Sequence, residues 1–237
     1  DPATSVNYDA DSFGTRVAAF DVLAGQSALD ITARSLVEVR PRPIEFPEIS
    51  WDRLARESLR AIETVEMLGQ SGRTEPHPEV AEIARSIAAQ HDNPGRAALA
   101  IATAIGEAME YMPGITGVHS TGAEAWVERK GVCQDITHIT LGALREVGIP
   151  ARYVSGYLHP NPHAEVGVAV TGESHAWVEW FTGDWEGFDS TNRIEIGDRH
   201  VLVGRGRDYN DVPPLRGVYA GPYKSDLHVQ VTITREA

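Results

Sequence analysis

The spacing of hydrophobic residues changes twice along the chain and divides it into three stretches. Up to about residue 47, short β-branched runs alternate with glycine-containing turns, a pattern typical of strands. The strands predicted there are Val17–Val22, Leu29–Thr32 and Leu36–Val39. Because three short strands make a poor core by themselves, residues 1–47 are interpreted as a β-rich N-terminal region that packs on the rest of the chain or ends a larger β region.

The second stretch, residues 50–148, has the period of amphipathic helices. Ser50 is suited to cap the first helix, whose apolar face runs from Trp51 to Val65. The residues from Thr121 to Glu124 have the form of a capping box, which marks the start of a short helix. The further helices are predicted after Pro78, from Pro94 to Met112, from Gly122 to Arg129, and from Cys133 to Val147.

The third stretch, after Pro150, consists mostly of predicted strands. They are Ala151–Tyr157, Val166–Val170, His175–Phe181, Trp185–Asp189 and Leu227–Thr234. Because helices come first and strands second, the order predicts an α+β fold in which the helices pack on an antiparallel sheet. Residues 48–237 are therefore interpreted as one core domain.

Charge and hydropathy exclude several classes of partner. The formal net charge is −13, which argues against a nucleic-acid backbone or an anionic membrane surface as the natural partner. The longest mostly apolar stretch, residues 97–112, contains Thr103, Glu107 and Glu110, so it predicts a core helix and not a membrane span. The sequence gives no indication of the oligomeric state.

The chain contains one cysteine, Cys133. An intrachain disulfide framework is therefore impossible, and a lone thiol suits a reducing compartment such as the cytoplasm. The chain begins with Asp1 and not with Met, so earlier removal of an N-terminal segment stays open. Most lone cysteines are small buried hydrophobes, and the role of Cys133 has to be judged by its surroundings.

Cys133 is predicted to stand at a helix N-terminus. In the segment Gly131–Asp135, the glycine ends one helix and the next begins at or just before the cysteine. The free N–H groups and the positive end of the helix dipole favour the thiolate, which is the reactive form. The same N–H groups can receive the oxyanion that forms when a thiolate attacks an acyl carbon.

A histidine and an aspartate on successive predicted strands complete a candidate triad. His175 begins a strand, where neutral imidazole can take the thiol proton and later return it to a leaving amine. Asp189 ends the next strand, and hairpin pairing would bring it near His175 to fix the tautomer of the ring. Glu179 and Asp184 are rival orienting residues, and Asp189 alternatively caps its own turn.

Three segments together resemble the signature blocks of the bacterial transglutaminase-like superfamily, which is related to papain-like cysteine proteases. They are Gly131–Asp135, Ser174–Glu179 and Gly187–Asn192, in the order of that family. Further segments resemble the family at residues 9–40, 111–124 and 148–157. Two features depart from its pattern: Ser190 replaces a common proline, and the resemblance covers only the later part of the family's β region, so we expect the start of that region to be missing. The resemblance implies a transglutaminase-like catalytic core over residues 48–237 and no cofactor.

The resemblance also implies roles for individual residues. Cys133 would be the nucleophile, His175 the base and acid, and Asp189 the orienting residue. Gln134 and the backbone N–H of Cys133 are candidates for the oxyanion site. Aromatic residues that could line a substrate cleft are Trp177, Tyr157 and Tyr111, although most such aromatics belong to an ordinary core.

Several functions stay open at this point. The expected activity is peptide or amide hydrolysis through a Cys133 thioester, with protein-glutamine crosslinking or a non-catalytic binding module as alternatives. The sequence does not decide whether water or an amine accepts the acyl group, because this depends on water exclusion and acceptor binding. A metal site could be imagined from His159, His163, His175, Cys133 and Asp135, but the spacing from His159 to His163 fits no known tight cage, so no metal is expected.

Overall fold

The computed structural model of the protein describes residues 5–222, 224 and 226–236. An antiparallel sheet of six strands forms the centre of the fold, and helices pack against it. A separate hairpin of two exposed strands precedes the helices. The α+β class predicted from the order of helices and strands is confirmed.

Six α-helices occur within the described residues. They are α1 (Trp51–Ser58), α2 (Ile62–Val65), α3 (Pro78–Ala88), α4 (Pro94–Ala108), α5 (Gly122–Glu128) and α6 (Cys133–Glu146). Side chains cap several of them as the sequence predicts: the Ser50 hydroxyl accepts from the N–H of Arg53 at 3.3 Å. The capping box of α5 is complete, because Thr121 and Glu124 each accept from the backbone N–H of the other.

The same part of the chain contains ten strands. They are β1 (Ser5–Ala10), β2 (Arg16–Asp21), β3 (Glu110–Tyr111), β4 (Lys130–Gly131), β5 (Ala151–Leu158), β6 (Ala169–Phe181), β7 (Trp185–Asp189), β8 (Ile194–Glu195), β9 (His200–Gly206) and β10 (Val231–Thr234). The main sheet has the order β8-β7-β6-β5-β9, and β10 pairs with the first residues of β6. The long strand β6 thus lies between β5 and β7.

Helix α6 is the centre of the hydrophobic core. It contacts β5 and β6 of the sheet and also α3, α4 and α5. Large side chains from all of these layers are buried together; they include Trp126, Trp180, Ile101, Leu141 and Leu144. Because α6 is surrounded in this way, its first residue has little freedom to move relative to the sheet.

Two strands predicted in the N-terminal region do not form. The chain has no regular structure over residues 22–50, so the predictions at Leu29–Thr32 and Leu36–Val39 were wrong. Leu29 is 46% exposed and Leu36 is 87% exposed. A β-branched run becomes a strand only where another strand pairs with it, and no described strand pairs with either segment. The division of the chain at residue 47 stays a prediction.

Three other boundaries differ from the predictions. The first helix stops at Ser58 and the chain resumes as α2. Leu59 and Ile62, which lie within the apolar face predicted from Trp51 to Val65, are 68% and 77% exposed. Helix α4 ends at Ala108 because the next residues pair with β4 as strand β3. The segments predicted as Val166–Val170 and His175–Phe181 are largely one strand, β6. Strand β9 was not predicted.

None of the helices in the described ranges is long and apolar enough to cross a bilayer.

Candidate active site

Cys133 is the first residue of α6, and its neighbours fix its position. The N–H of Val132 donates to the Asp135 carboxylate at 2.8 Å, and the Thr116 hydroxyl donates to the same oxygen at 2.6 Å. A Cβ at Gly131 would lie 2.7 Å from this oxygen, so only glycine fits before the helix. The buried Asp135 carboxylate therefore fixes the entry into α6 and holds the half-buried thiol at the helix N-terminus.

His175 lies within β6 and connects Cys133 to Asp189. Its Nε2 is 2.7 Å from Asp189 Oδ2, and the Cys133 thiol lies close enough to the same ring to help raise its pKa. Because Nε2 faces the aspartate, Nδ1 is the nitrogen available to the thiol. Burial by itself lowers the pKa of His175, but the hydrogen bonds and charges of Asp189 and Cys133 outweigh burial and raise that pKa to about 9.

Asp189 ends β7 and is fully buried with its carboxylate saturated by donors. Its Oδ1 accepts from the backbone N–H groups of Thr191 and Asn192, each at 3.0 Å. Its Oδ2 accepts from the Asn192 amide at 2.7 Å and lies 2.7 Å from His175 Nε2 and 3.2 Å from His200 Nε2. Burial raises the pKa of Asp189, but these hydrogen bonds reverse the effect and hold it well below its usual range.

The rival orienting residues are engaged elsewhere. Glu179 forms ion pairs with Arg152 at 2.5 Å and with Arg205 at 2.8 Å. Asp184 pairs with Arg42 at 2.5 Å. The structure thus brings together Cys133, His175 and Asp189 and leaves Glu179 and Asp184 outside this group.

Close packing of α4 holds the turn that carries Asp189. A Cβ at Gly106 would lie 2.1 Å from the backbone oxygen of Ser190, so the helix backbone touches the turn directly. The Arg193 guanidinium also donates to the Gly106 carbonyl at 3.3 Å. Ser190, which stands where the family commonly has proline, is buried in this contact.

Two site residues were missed by sequence reasoning, His200 and Asn192. His200 begins β9 and pairs with Leu158 of β5, which places it at the same end of the sheet as His175. A signal was present: like His175, His200 follows a glycine-containing turn and opens a run of β-branched and apolar residues. Asn192 belongs to a polar turn after a predicted strand, which has no distinguishing pattern.

The oxyanion candidates are placed differently from one another. The first N–H groups of a helix have no partner within it, so the N–H of Cys133 is suitably positioned beside its own thiol. The Gln134 side chain is turned towards the loop before α5, where its Nε2 lies 3.4 Å from the Val118 carbonyl. A role for Gln134 in binding an oxyanion requires this long contact to open.

The three aromatic cleft candidates also differ in exposure. Tyr111 is 52% exposed; burial raises its pKa, and the nearby charges of Cys133 and Glu173 add to that effect. Tyr157 is half-buried on β5. Trp177 is only 1% exposed and packs edge-on against His200 with ring centroids 5.4 Å apart. Trp177 therefore does not line an open cleft as expected, since it supports the site from within the core.

One group of potential metal ligands occurs in the described part of the chain. His175, Asp189 and His200 each offer a ligand atom, and these atoms lie within 4.8 Å of one another. Two imidazoles and a carboxylate can bind transition metals, but a metal here would have to displace the hydrogen bonds that occupy Asp189. His159 instead bonds the backbone of Asn161 and is not part of the group.

Two mycobacterial proteins are similar in sequence to this chain over nearly its whole length. The family model described as the transglutaminase-like superfamily matches residues 81–190, which include all three triad candidates. An uncharacterized protein of Mycobacterium leprae is 44% identical over 237 residues, or 100% of this chain and 84% of the relative. An uncharacterized protein of Mycobacterium tuberculosis is 32% identical over 243 residues, or 94% of this chain and 75% of the relative.

Two further similarities are to proteins whose names refer to an enzyme class. A protein-glutamine gamma-glutamyltransferase of Pseudomonas aeruginosa is 32% identical over 129 residues, which is 49% of this chain and 19% of that protein. The crystal structure of a candidate cysteine protease from Cytophaga hutchinsonii has a TM-score of 0.57 and 26% identity. That match covers 72% of this chain, and the chain spans 55% of the solved structure.

Proposed function

The chain belongs to the transglutaminase-like superfamily, and from this premise we propose that it is a thiol enzyme that transfers acyl groups from amide bonds. Cys133 is the nucleophile, His175 the general base and acid, and Asp189 the residue that orients His175. The substrate is a peptide or protein amide, and water accepts the acyl group. One observation carries the proposal: the His175 ring is hydrogen-bonded to the Asp189 carboxylate at 2.7 Å, with the Cys133 thiol close enough to the same ring to affect its pKa.

The first half-reaction forms a thioester. His175 takes the thiol proton, and the Cys133 sulfur attacks the carbonyl carbon of the amide. The carbon–nitrogen bond breaks as the His175 imidazolium returns the proton to the leaving amine. The raised pKa of His175 suits this step, because the imidazolium persists until the amine leaves.

The second half-reaction hydrolyses the thioester. His175 removes a proton from water, and the resulting hydroxide attacks the acyl carbon. The carbon–sulfur bond breaks, and the proton returns to the Cys133 sulfur. In both halves the backbone N–H of Cys133 is the proposed oxyanion donor, with Gln134 as a second donor when its contact to Val118 opens.

Hydrolysis is proposed ahead of amine transfer because the similarity to a candidate protease covers more of this chain than the similarity to a transferase does. The solved structure described as a candidate cysteine protease covers 72% of this chain. The transferase of Pseudomonas aeruginosa matches 49% of it, and this similarity supports amine transfer as the second candidate. A reducing compartment such as the cytoplasm is proposed because the single thiol of the chain must stay reduced to react.

A trapping experiment tests the proposal. The protein is mixed with a panel of fluorescent peptide amides, quenched in acid and examined by intact-mass spectrometry. We expect an acyl adduct on Cys133 that decays to free acid in water, and no adduct in Cys133→Ala. Incorporation of heavy oxygen from labelled water identifies hydrolysis, whereas incorporation of an added primary amine identifies transfer.

The control variant is His159→Asn, which keeps an acceptor for the Asn161 N–H and lies outside the triad. It should form the adduct as the parent does. Two results together would contradict the proposal in favour of a non-catalytic module. They are the absence of any adduct in the parent across the panel, and a rate of Cys133 alkylation that His175→Ala does not lower.

A further inference from the structure

His200 is a buried histidine whose two ring nitrogens both have defined partners. It is 3% exposed and begins β9. The backbone N–H of Gly197 donates to His200 Nδ1 at 3.1 Å, and the backbone N–H of His200 donates to the Gly197 carbonyl at 3.1 Å. The turn between residues 197 and 200 is closed by these two bonds. The imidazole therefore has little freedom to rotate away from the site.

The Gly197 contact settles the tautomer of His200. A backbone N–H can only donate, so Nδ1 must be the acceptor nitrogen of the ring. In a neutral imidazole the proton is then on Nε2. That proton points at Asp189 Oδ2, which lies 3.2 Å from His200 Nε2. His200 is thus a donor to the aspartate and does not compete with it for the proton of His175.

The donors around Asp189 restrict both its charge and its direction. Asp189 Oδ2 accepts from three side chains, which are His175, His200 and the Asn192 amide. Asp189 Oδ1 accepts from two backbone N–H groups. A carboxylate with several donors strongly favours the ionised form and cannot turn. The direction of Oδ2 in turn determines where the His175 ring points.

We propose that His200 is a positioning residue of the triad, which acts on His175 through Asp189. This proposal rests on the proposed function of Cys133 and His175. Without the Nε2–H donor, Asp189 Oδ2 keeps only Asn192 and His175, and the carboxylate loses part of its hold on the imidazolium. The nucleophile pair is then less well aligned, although His200 itself does not touch the reacting atoms.

A merely structural role is the competing explanation, because His200 also closes its own turn and packs edge-on against Trp177. Two amide variants separate the two roles. The amide of His200→Asn occupies the position of Nδ1 and can keep the Gly197 bond while losing the donor to Asp189. The amide of His200→Gln reaches the position of Nε2 and can keep the donor while losing the Gly197 bond.

The experiment measures four quantities in the parent, both variants and the control His159→Asn. They are the rate of amide turnover, the rate of Cys133 alkylation across the pH range, the pKa of His175 from its ring NMR signals, and the melting temperature. Loss of a donor to a charged acceptor corresponds to a change of about tenfold or more. We expect His200→Asn to lower turnover about tenfold and to lower the His175 pKa, while His200→Gln stays near the parent.

Each result has one meaning. If His200→Gln is impaired as much as or more than His200→Asn, while the melting temperature of both falls, the turn is what matters and the proposal is overturned. If both variants match the parent in His175 pKa and turnover, it is overturned as well. If alkylation of the parent is itself unaffected by His175→Ala, the proposed function fails, which is a different outcome from a failure at His200.

Discussion

Two buried histidines in different regions of this molecule have opposite electrostatic fates. His175 is 9% exposed and His138 is 0% exposed, so both have left water. The pKa of His175 is raised to about 9, whereas burial, assisted by nearby Arg73 and Arg145, lowers the pKa of His138 to about 3. The same side chain is thus held as a cation in one region and as a neutral ring in the other.

The difference comes from the group that each ring faces. His175 faces the ionised carboxylate of Asp189 at 2.7 Å. His138, on α6, accepts the N–H of Tyr209 at 3.2 Å and packs on the ring of Tyr153, with centroids 5.2 Å apart. The charge of Asp208 favours protonation of His138 but does not overcome burial and the two arginines.

Burial alone therefore does not identify a reactive histidine. A buried imidazole is prepared for proton transfer only where a fixed carboxylate compensates for the lost water. The polar cluster around His175 and the polar cluster around His138 both lie on or beside α6, but only the first includes the Cys133 thiol. The other joins α6 to the chain before α3 and after β9 through Arg145, which donates to Thr74 at 3.1 Å and to the Arg207 carbonyl at 2.6 Å.

The largest expected effect separates the two histidines by activity. His175→Ala removes both the base and the acid and should lower kcat/KM by about 10³- to 10⁴-fold. His138→Gln keeps an acceptor for the Tyr209 N–H and should leave turnover per folded molecule nearly unchanged. Steady-state kinetics normalised to active thiol tests this, and comparable losses in both variants would break the distinction.

The aspartates beside the two histidines, Asp189 and Asp208, should also differ in their effect on activity. Asp189→Asn removes the charge that orients His175 and should lower kcat by about 10²- to 10³-fold with intact folding. Asp208→Asn keeps an acceptor for the Asn210 N–H and changes only the His138 side. Its effect should appear in the melting temperature and not in kcat. A full loss of activity in Asp208→Asn would show that the two clusters are coupled.

The free energy of unfolding should fall at both ends of the pH range, with an alkaline limb from His175 and an acidic limb to which His138 contributes. Because the folded pKa of His175 lies above its ordinary value of about 6.5, its contribution is fully present below that pH and is lost as pH rises through about 9. The folded pKa of His138 lies below the ordinary value, so its contribution is present above it and is lost as pH falls towards about 3.

Denaturant unfolding across pH measures both limbs, which are worth at most roughly 3 kcal/mol for the alkaline limb and roughly 5 kcal/mol for the acidic limb. His175→Gln should flatten the alkaline limb, and His138→Gln should flatten the acidic limb between about pH 6.5 and about pH 4, above the range in which the Asp189 carboxylate is protonated. An alkaline limb that survives in His175→Gln would mean that another group is responsible for it.

Two glycines provide the smallest and most local test. Gly106 touches the Ser190 backbone beside Asp189, and Gly142 touches the Thr74 backbone beside Arg145, each with 2.1 Å between a built Cβ and a carbonyl oxygen. Alanine at either site should cost about 1–3 kcal/mol of stability through overpacking. Only Gly106→Ala should also lower kcat, by less than the Asp189 variant. Equal kcat values for both alanine variants would contradict direct support of the turn by α4.

The elements with strong local signals were predictable from the sequence. The capping box at Thr121 and Glu124 and the glycine break before Cys133 both reported structure that depends on a few neighbouring residues. The α+β class and the proximity of His175 and Asp189 followed from the order of elements and hairpin pairing. The saturation of Asp189 by donors did not, because it depends on side chains from three separate segments.

The failures share one physical cause, which is that local pattern does not specify a partner. Leu36–Val39 has the composition of a strand but lies in a segment without regular structure, since no described strand pairs with it. Strand β9 contains Gly204, Arg205 and Gly206 and carries a weak strand signal, yet pairing with β5 makes it a strand. His200 was missed together with β9, because its role depends on that pairing.

Alkylation of Cys133 measured against pH, in the parent and in His175→Ala, tests the central proposal most directly. The chain has one cysteine, so every modification event reports this thiol. An activated Cys133–His175 pair predicts that at about pH 6 the parent reacts at least about tenfold faster than the variant, because a neighbouring imidazolium stabilises the thiolate. Equally slow reactions that rise together with pH in both proteins would contradict the proposal and mark Cys133 as an unactivated thiol.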